Sequence, residues 1–426
     1  MRSRDRKHNW RTLLRRPWAT GRRLLQAAEA YLLPRPIDLG LRRGLCQIRA
    51  AADPGAALAF RRTLAGWLEQ AQSGNPLILM PPSLDWSTQL FQRPQQLARA
   101  LARQGAVVVF CEKGKRMPEE DLQPPEDRLY RCPFPPQALE EVPGAWTYVL
   151  TWNARRYLPA LTRPAIVYDY LDEIEAFYGN PTRLSQDHRA LLREAKLVLA
   201  TSELLYQAAR AVRPDTFLVP NGADYEHFAR RRRVPPDSAP PALQPVLDRG
   251  APIIGYYGAL ARWFDYDLVR EVARLRPDLQ FVLLGPDFDF SLAQQGWQDL
   301  ENLRWLGPQP YNELPSYLHF FNVAMIPFRL NRVTRATSPI KLYEYFAGGK
   351  PVVATNLPEC ARIPEVMIAR DPKDFSAQLD RALALRSDPS YLSRIDALAR
   401  ANTWEARAGV ILGALGELGP GGTALS

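Results

Sequence analysis

The chain has 426 residues, enough for two domains of ordinary size, and 46% of them are hydrophobic, which excludes a disordered protein. The formal net charge of +10 is confined to residues 1–50, which hold 13 Lys/Arg against 3 Asp/Glu; the other 376 residues carry 42 of each sign. A neutral body with a basic arm excludes a nucleic-acid-binding surface spread over the fold.

In chain order, residues 1–74 read as a basic helical extension. Trp10, Leu13, Leu14 and Trp18 alternate with arginines, and Leu24, Leu25, Ala28 and Leu32 repeat at helical spacing. No apolar run there reaches the roughly 18 residues of a membrane span, and no uninterrupted apolar core marks a signal peptide. A basic amphipathic arm with tryptophans suits an anionic membrane surface. Residues 53–72 read as a further helix.

Residues 75–228 read as a first Rossmann-like domain. Apolar runs at 76–80, 107–110, 146–152 and 165–170 are strand candidates, separated by helical patterns such as the one opened by Pro94. The loop after the first strand holds Asp85, Trp86 and Arg93, at the carboxyl end of the strand, where ligands bind in an open α/β sheet. Residues 112–143 are charged and proline-rich and read as connections with an edge strand. After the strand at 165–170, Asp169, Asp172, Glu173 and Glu175 crowd together. Neighbouring acids raise one another's pKa, which suits general-base work; acids at a helix start are also stabilising on their own. Asn221 and Gly222 form a turn signal.

Residues 229–252 hold a four-arginine run and many prolines, and read as the interdomain linker. Residues 253–402 read as a second Rossmann-like domain and 403–418 as a terminal helix. Its first strand, IIGYY, leads to a loop with Gly258, Arg262 and Trp263, where glycine lets the backbone approach a phosphate and Arg262 can pair with it bidentately. In SPIKLYEYFAGGKPVVAT (338–355), Ser338 reads as an N-cap, Pro339 as the first helical residue, the glycines as a stop and PVVAT as a buried strand. Lys341 and Glu344 share one face. A lysine in a first helical turn opposes the helix dipole unless it is solvated or an anion sits there.

This motif resembles the donor-binding signature of nucleotide-sugar glycosyltransferases of the GT-B fold, most similar to the group that builds teichuronic acid and other surface polysaccharides. Trp86 with QRPQQL (92–97), Tyr168-Asp169 with Asp172, VPNGADYEHF (219–228) and Gly255-Tyr256 with Gly258, Trp263 and Asp265 resemble further segments of that group, in the same order. The resemblance implies an α/β fold of two Rossmann-like domains facing a cleft, with a last helix crossing back to the first domain. Lys341 would contact the donor diphosphate and Glu344 the ribose, with Ser338, Gly258 and Arg262 beside them. Asp172, with Asp169 second, would be the base, and Asp85, Trp86 and Arg93 would lie on the acceptor side. Tyr311 and Leu314 lie where this fold meets the nucleobase. Many retaining members carry a glutamate eight residues before the motif's own; here it is Ala336.

The implied activity is transfer of a sugar from a nucleotide diphosphate sugar to a hydroxyl acceptor, a saccharide or a lipid-linked saccharide. Positive charge from Lys341, Arg262 and the helix terminus can stand in for a metal, so no metal and no other cofactor is expected. The four cysteines (Cys46, Cys111, Cys132, Cys360) form no Cys-x-x-Cys pair and the four histidines no metal-ligand spacing, as expected of a cytoplasmic protein. A nucleotide-sugar epimerase of the same fold and a non-catalytic sugar-nucleotide-binding scaffold are the alternatives.

Overall fold

The computed structural model describes residues 75–419, apart from 89, 113–125, 133–144, 151–152, 154–156, 159–164, 177–179 and 296–299, and in addition Gly66 and Glu69. The basic arm at 1–50 and nearly all of the helix expected at 53–72 therefore lie outside the described residues. Everything below belongs to one compact unit, Ala57–Ser426.

Two all-parallel sheets form the frame. The first contains β1 (Leu77–Met80), β2 (Val107–Cys111), β3 (Leu129–Cys132), β4 (Trp146–Leu150), β5 (Ala165–Tyr170), β6 (Leu197–Ala200) and β7 (Phe217–Leu218), in the order β3-β2-β1-β4-β5-β6-β7. The second contains β8 (Ile253–Tyr257), β9 (Gln280–Leu284), β10 (Leu303–Trp305), β11 (Val323–Ile326), β12 (Val352–Thr355) and β13 (Val366–Ala369), in the order β10-β9-β8-β11-β12-β13. Strands such as LILM, VVVFC and IIGYY are buried along their whole length. That is why they are continuous apolar runs and not alternating ones: helices cover both faces of a parallel sheet.

Strand order reverses between β1 and β4 in one sheet and between β8 and β11 in the other. At such points the connections leave in opposite directions and open a crevice at the carboxyl ends of the strands. The loop after β1 carries Asp85 and Trp86 and leads into the helix that Arg93 begins, and the loop after β8 carries Gly258 and Arg262.

The main helices are α1 (Arg93–Arg103), α2 (Pro181–Glu194), α3 (Glu203–Arg210), α4 (Tyr225–Arg233), α5 (Tyr266–Leu275), α6 (Leu314–Phe320), α7 (Ile340–Ala347), α8 (Pro372–Leu385), α9 (Pro389–Ala401) and α10 (Trp404–Leu418). None of the described helices is long and apolar enough to cross a membrane.

The expected linker at 229–252 needs correction. Its arginine run, Arg230–Arg233, is the last turn of α4, where cations suit the negative end of a helix. Tyr225, Phe228 and Ala229, at i, i+3 and i+4, bury α4 in the core of the second domain. The chain therefore crosses between domains before Asp224, the α4 N-cap, whose carboxylate accepts from the His227 N–H. Composition marks the arginines as solvated; the apolar stripe one turn earlier decides their conformation.

The chain crosses back at 402–404, beside the first crossing. Ala223 N–H donates to Asn402 O (2.9 Å) and Trp404 N–H to Ala223 O (3.2 Å). A Cβ on Gly222 would lie 2.8 Å from the Thr403 carbonyl carbon, so only glycine lets the two crossings touch. Helix α10 then lays Trp404, Ala408, Ile411 and Leu415 into the first-domain core beside Leu97 and Leu101 of α1.

Candidate functional site

Helix α7 projects its amino end at the cleft. Its N-cap is Pro339, and Ser338, expected as the cap, lies one residue earlier. The Ser338 hydroxyl is used instead by the first domain, accepting from the Asn221 N–H at 3.2 Å. No side chain caps α7. The Leu342 N–H turns back to Pro339 O at 3.2 Å, so of the first turn the N–H groups of Ile340 and Lys341 are the ones placed to donate to a ligand.

Lys341 lies in the first turn. Its Nζ sits 5.3 Å from the centroid of the Tyr256 ring and 5.1 Å from that of Phe328, on the aromatic faces that suit a cation. Burial pushes the ammonium down from its usual range, opposed by the Glu344 carboxylate. Glu344 is one turn deeper and accepts from Tyr257 Oη at 3.0 Å. Burial pushes its carboxyl up, opposed by that hydrogen bond and by Lys341. Two desolvated opposite charges on one helical face make a site that a phosphate and a hydroxyl would complete.

The β8 and β9 turns explain why the backbone comes so close. Gly258 has φ 137°, and a Cβ there would lie 2.9 Å from Lys341 Cε. Gly285, at φ 132°, passes so near that its Cβ would lie 1.9 Å from the Gly258 carbonyl oxygen. Of the two, only Gly258 is singled out by the sequence. Arg262 is exposed in the loop after Gly258, and its N–H donates to Asp289 Oδ2 at 3.0 Å.

Across the cleft, the acids at the end of β5 and just beyond it separate into three environments. Asp169 is fully buried and takes a bidentate ion pair from Arg93, Nε at 2.7 Å and Nη2 at 3.0 Å, together with a hydrogen bond from the Tyr148 hydroxyl. Glu173 and Glu175 receive Arg332 from the second domain, at 3.6 and 2.9 Å. Asp172 is half-buried and meets the Thr337 hydroxyl of the second domain at 3.5 Å. Burial pushes its carboxyl up to about 7, the Thr337 hydrogen bond opposing and the Asp169 charge adding to the rise. Of the two candidate bases, Asp172 faces the second domain with its carboxyl pushed up, and Asp169 is committed to Arg93.

The acceptor-side expectation is altered for Arg93. It is 1% exposed and spent on Asp169, Asn221 and the Pro220 carbonyl, because the guanidinium reaches inward from the first residue of α1. A buried, fully paired arginine does not meet a substrate. Trp86 packs edge-on against Phe91 (5.4 Å) and Phe110 (5.3 Å). Asp85 is half-buried on the same loop, with its carbonyl accepting from Gln95 Nε2 at 3.3 Å.

Tyr311, expected near the nucleobase, stacks flat on His227 at 4.4 Å with 4° between the rings. Phe91 of the first domain covers it at 5.0 Å, and Gln96 Nε2 donates to its hydroxyl at 2.7 Å. Leu314 packs partly buried against the same core. Ala336 is 1% exposed and sits among Tyr168 and Tyr170. Thr337 and Phe91 have no distinguishing spacing in sequence, and Asn221, Gln96 and His227, though they lie in quoted segments, gave no sign of their partners, since each of the five contacts a residue more than 80 positions away. A cavity of about 210 Å³ near Arg231, Arg232, His319 and Lys350 lies at the other end of α7. Its cations serve helix ends there: Lys350 Nζ donates to His319 O at 2.7 Å and Arg232 Nη1 to Ala347 O at 3.4 Å.

Two facing parallel sheets with a crossing-back helix define the GT-B class, and solved structures agree. Sucrose-phosphate synthase from Thermosynechococcus elongatus superposes with a TM-score of 0.59 at 18% identity, covering 79% of this chain and 97% of that one. Anabaena HepE in complex with UDP-glucose gives 0.56 at 16%, covering 80% and 100%. Trehalose-6-phosphate synthase from E. coli bound with UDP-2-fluoro glucose gives 0.57 at 13%, covering 81% and 100%.

Residues 251–384, the second domain from β8 to α8, match the family model described as glycosyl transferases group 1, and the chain thus carries a glycosyltransferase domain of that group. A curated relative, the putative teichuronic acid biosynthesis glycosyltransferase TuaH of Bacillus subtilis, is 27% identical over 258 residues. That match spans 56% of this chain and 64% of the relative.

Proposed function

We propose that the protein transfers a sugar from a nucleoside diphosphate sugar to the hydroxyl of a saccharide or lipid-linked saccharide, in the making of a surface polysaccharide or glycolipid. The observation that carries this reading is the meeting of Asp172 with Thr337, four residues before Lys341: a basic carboxylate faces the amino end of an uncapped helix across the cleft. Two structural neighbours, solved with UDP-glucose and with UDP-2-fluoro glucose bound, support a UDP-sugar as donor.

In this reading the diphosphate lies against the first N–H groups of α7, Lys341 and the Gly258 turn, with Arg262 at the rim. Glu344 accepts from sugar-ring hydroxyls of the nucleoside. The acceptor oxygen forms a bond to the anomeric carbon while the bond from that carbon to the diphosphate oxygen breaks. Its proton passes to Asp172 and the charge leaves with the diphosphate. Asp85 and Trp86 border the acceptor.

A panel of nucleoside diphosphates read by thermal shift tests the donor site. A nucleotide at 100 times its Kd adds about 2.7 kcal/mol of stability, so UDP is expected to raise Tm by several degrees, and no shift with any nucleotide would overturn the reading. Because the protein's own cations offset the leaving charge, turnover is expected to survive EDTA; loss of turnover would show a required metal.

The protein is further proposed to work on the cytoplasmic face of a membrane, held there by the basic arm at 1–50. Removing those residues is expected to abolish co-sedimentation with anionic liposomes and leave UDP binding intact. Equal sedimentation of the shortened chain would end the membrane assignment.

A further inference from the structure

We propose that Asn221 is a positioning residue for sugar transfer, fixing the span between Asp172 and the amino end of α7 without touching either substrate. The proposal rests on the reading of α7 as the donor site.

Asn221 is buried at the first domain crossing, and each of its polar groups is engaged. Its Nδ2 donates to Ser338 O at 2.7 Å and its backbone N–H to Ser338 Oγ at 3.2 Å. Its Oδ1 accepts from Arg93 Nη1 at 3.2 Å, and its carbonyl accepts from Arg407 Nη2 at 3.4 Å. Arg93 continues the chain to Asp169, which Tyr148 also holds. One buried polar network thus runs from β5, through Asp169, Arg93 and Asn221, to the residue just before the α7 N-cap.

The two ends of that network carry the two halves of the chemistry. Asp169 is three residues before Asp172, and Ser338 is three residues before Lys341. Both segments are short and leave little slack. A buried bidentate ion pair is geometrically specific, and a fully satisfied buried network is rigid. The adjacent crossings at 222–223 and 402–404 are hydrogen-bonded together, so Asn221 sits where any relative movement of the domains must pass. Asn221 is suited to this because it alone at that point both accepts from Arg93 and donates to a main-chain carbonyl.

Asn221→Asp keeps the shape and the acceptor for Arg93 but replaces the donor to Ser338 O by a second acceptor. The expected result is a fall in kcat of about 10- to 100-fold, the range that a misplacement of about 1 Å produces, with the Kd for UDP changed less than about threefold. In an Asp172→Asn background, Asn221→Asp is expected to have almost no further effect on kcat, since it acts through the base. An unchanged kcat, an equal additional loss in the Asp172→Asn background, or a parallel loss of UDP binding would each overturn the proposal. Should Asn221→Asp fail to fold, Asn221→Ala, which deletes both side-chain bonds, carries the same expectations.

Hydrogen exchange supplies a readout independent of turnover. UDP is expected to slow exchange in α7 and also at 165–172 in the full-length protein, and in Asn221→Asp to slow it in α7 only. Wild-type protein that binds UDP but transfers nothing would sink the proposed activity and leave this coupling to be judged by exchange. Protection at 165–172 that persists in the variant would sink the coupling and leave the activity standing. If UDP slows exchange nowhere in the wild type, the donor site and this proposal fall together.

Discussion

Lys341→Met is expected to weaken UDP binding by roughly 100-fold and to reduce transfer below detection, with little loss of stability. The size follows from removing one partner of a buried charge pair, about 2–5 kcal/mol when the other partner is left unmatched, here the diphosphate. The fold should survive because burial already works against the ammonium in the free protein. Met matches the stem in length and can lie between Tyr256 and Phe328. Glu344 keeps its hydrogen bond from Tyr257. Titration calorimetry with UDP measures the binding and a melting curve the stability. Wild-type affinity in the variant would place the diphosphate elsewhere.

Asp172→Asn is expected to lower kcat by about 100- to 10,000-fold, the usual worth of a general base, while UDP binding stays near the wild-type value. The pH profile gives the sign. The active form is the carboxylate, and burial has pushed its pKa up to about 7. The wild-type rate should therefore rise with pH through about 7 and then level, and the residual rate of the variant should lack that limb. Asp169→Asn makes the contrast. It leaves the Arg93 guanidinium buried without its ion pair, which costs about 3–5 kcal/mol, so the loss there should appear first as a lowered Tm. A rate for Asp172→Asn equal to wild type at all pH values would remove Asp172 from the role of base.

The parallel sheets were legible early because a strand covered on both faces must be apolar throughout, so VVVFC, AIVYDY and IIGYY announce themselves. The α7 motif was legible for a similar reason: its helix, glycine stop and following strand are all local. Its N-cap was not. Ser338 is a good cap by type, but its hydroxyl is used by Asn221, 117 residues away, and no local rule reports that competition. The arginine run at 230–233 failed in the opposite way: charge suggested coil, while Tyr225 and Phe228 had already committed the segment to a helix.

Four acids in seven residues show where a base can be, and they also show nothing that separates one from another. Arg93 and Arg332 make the separation, one from the first residue of α1 and one from across the cleft. By itself the sequence determined two doubly wound domains, a lysine and a glutamate on one helical face, and an acid cluster at the end of a strand, because each depends on neighbours within a few residues. Only the tertiary structure decided that Asp169 is paired with Arg93, that Asp172 meets Thr337 of the second domain, and that Asn221 bonds to both Arg93 and Ser338. Those outcomes follow from desolvation and from hydrogen bonds between segments that the chain brings together only once both sheets have formed.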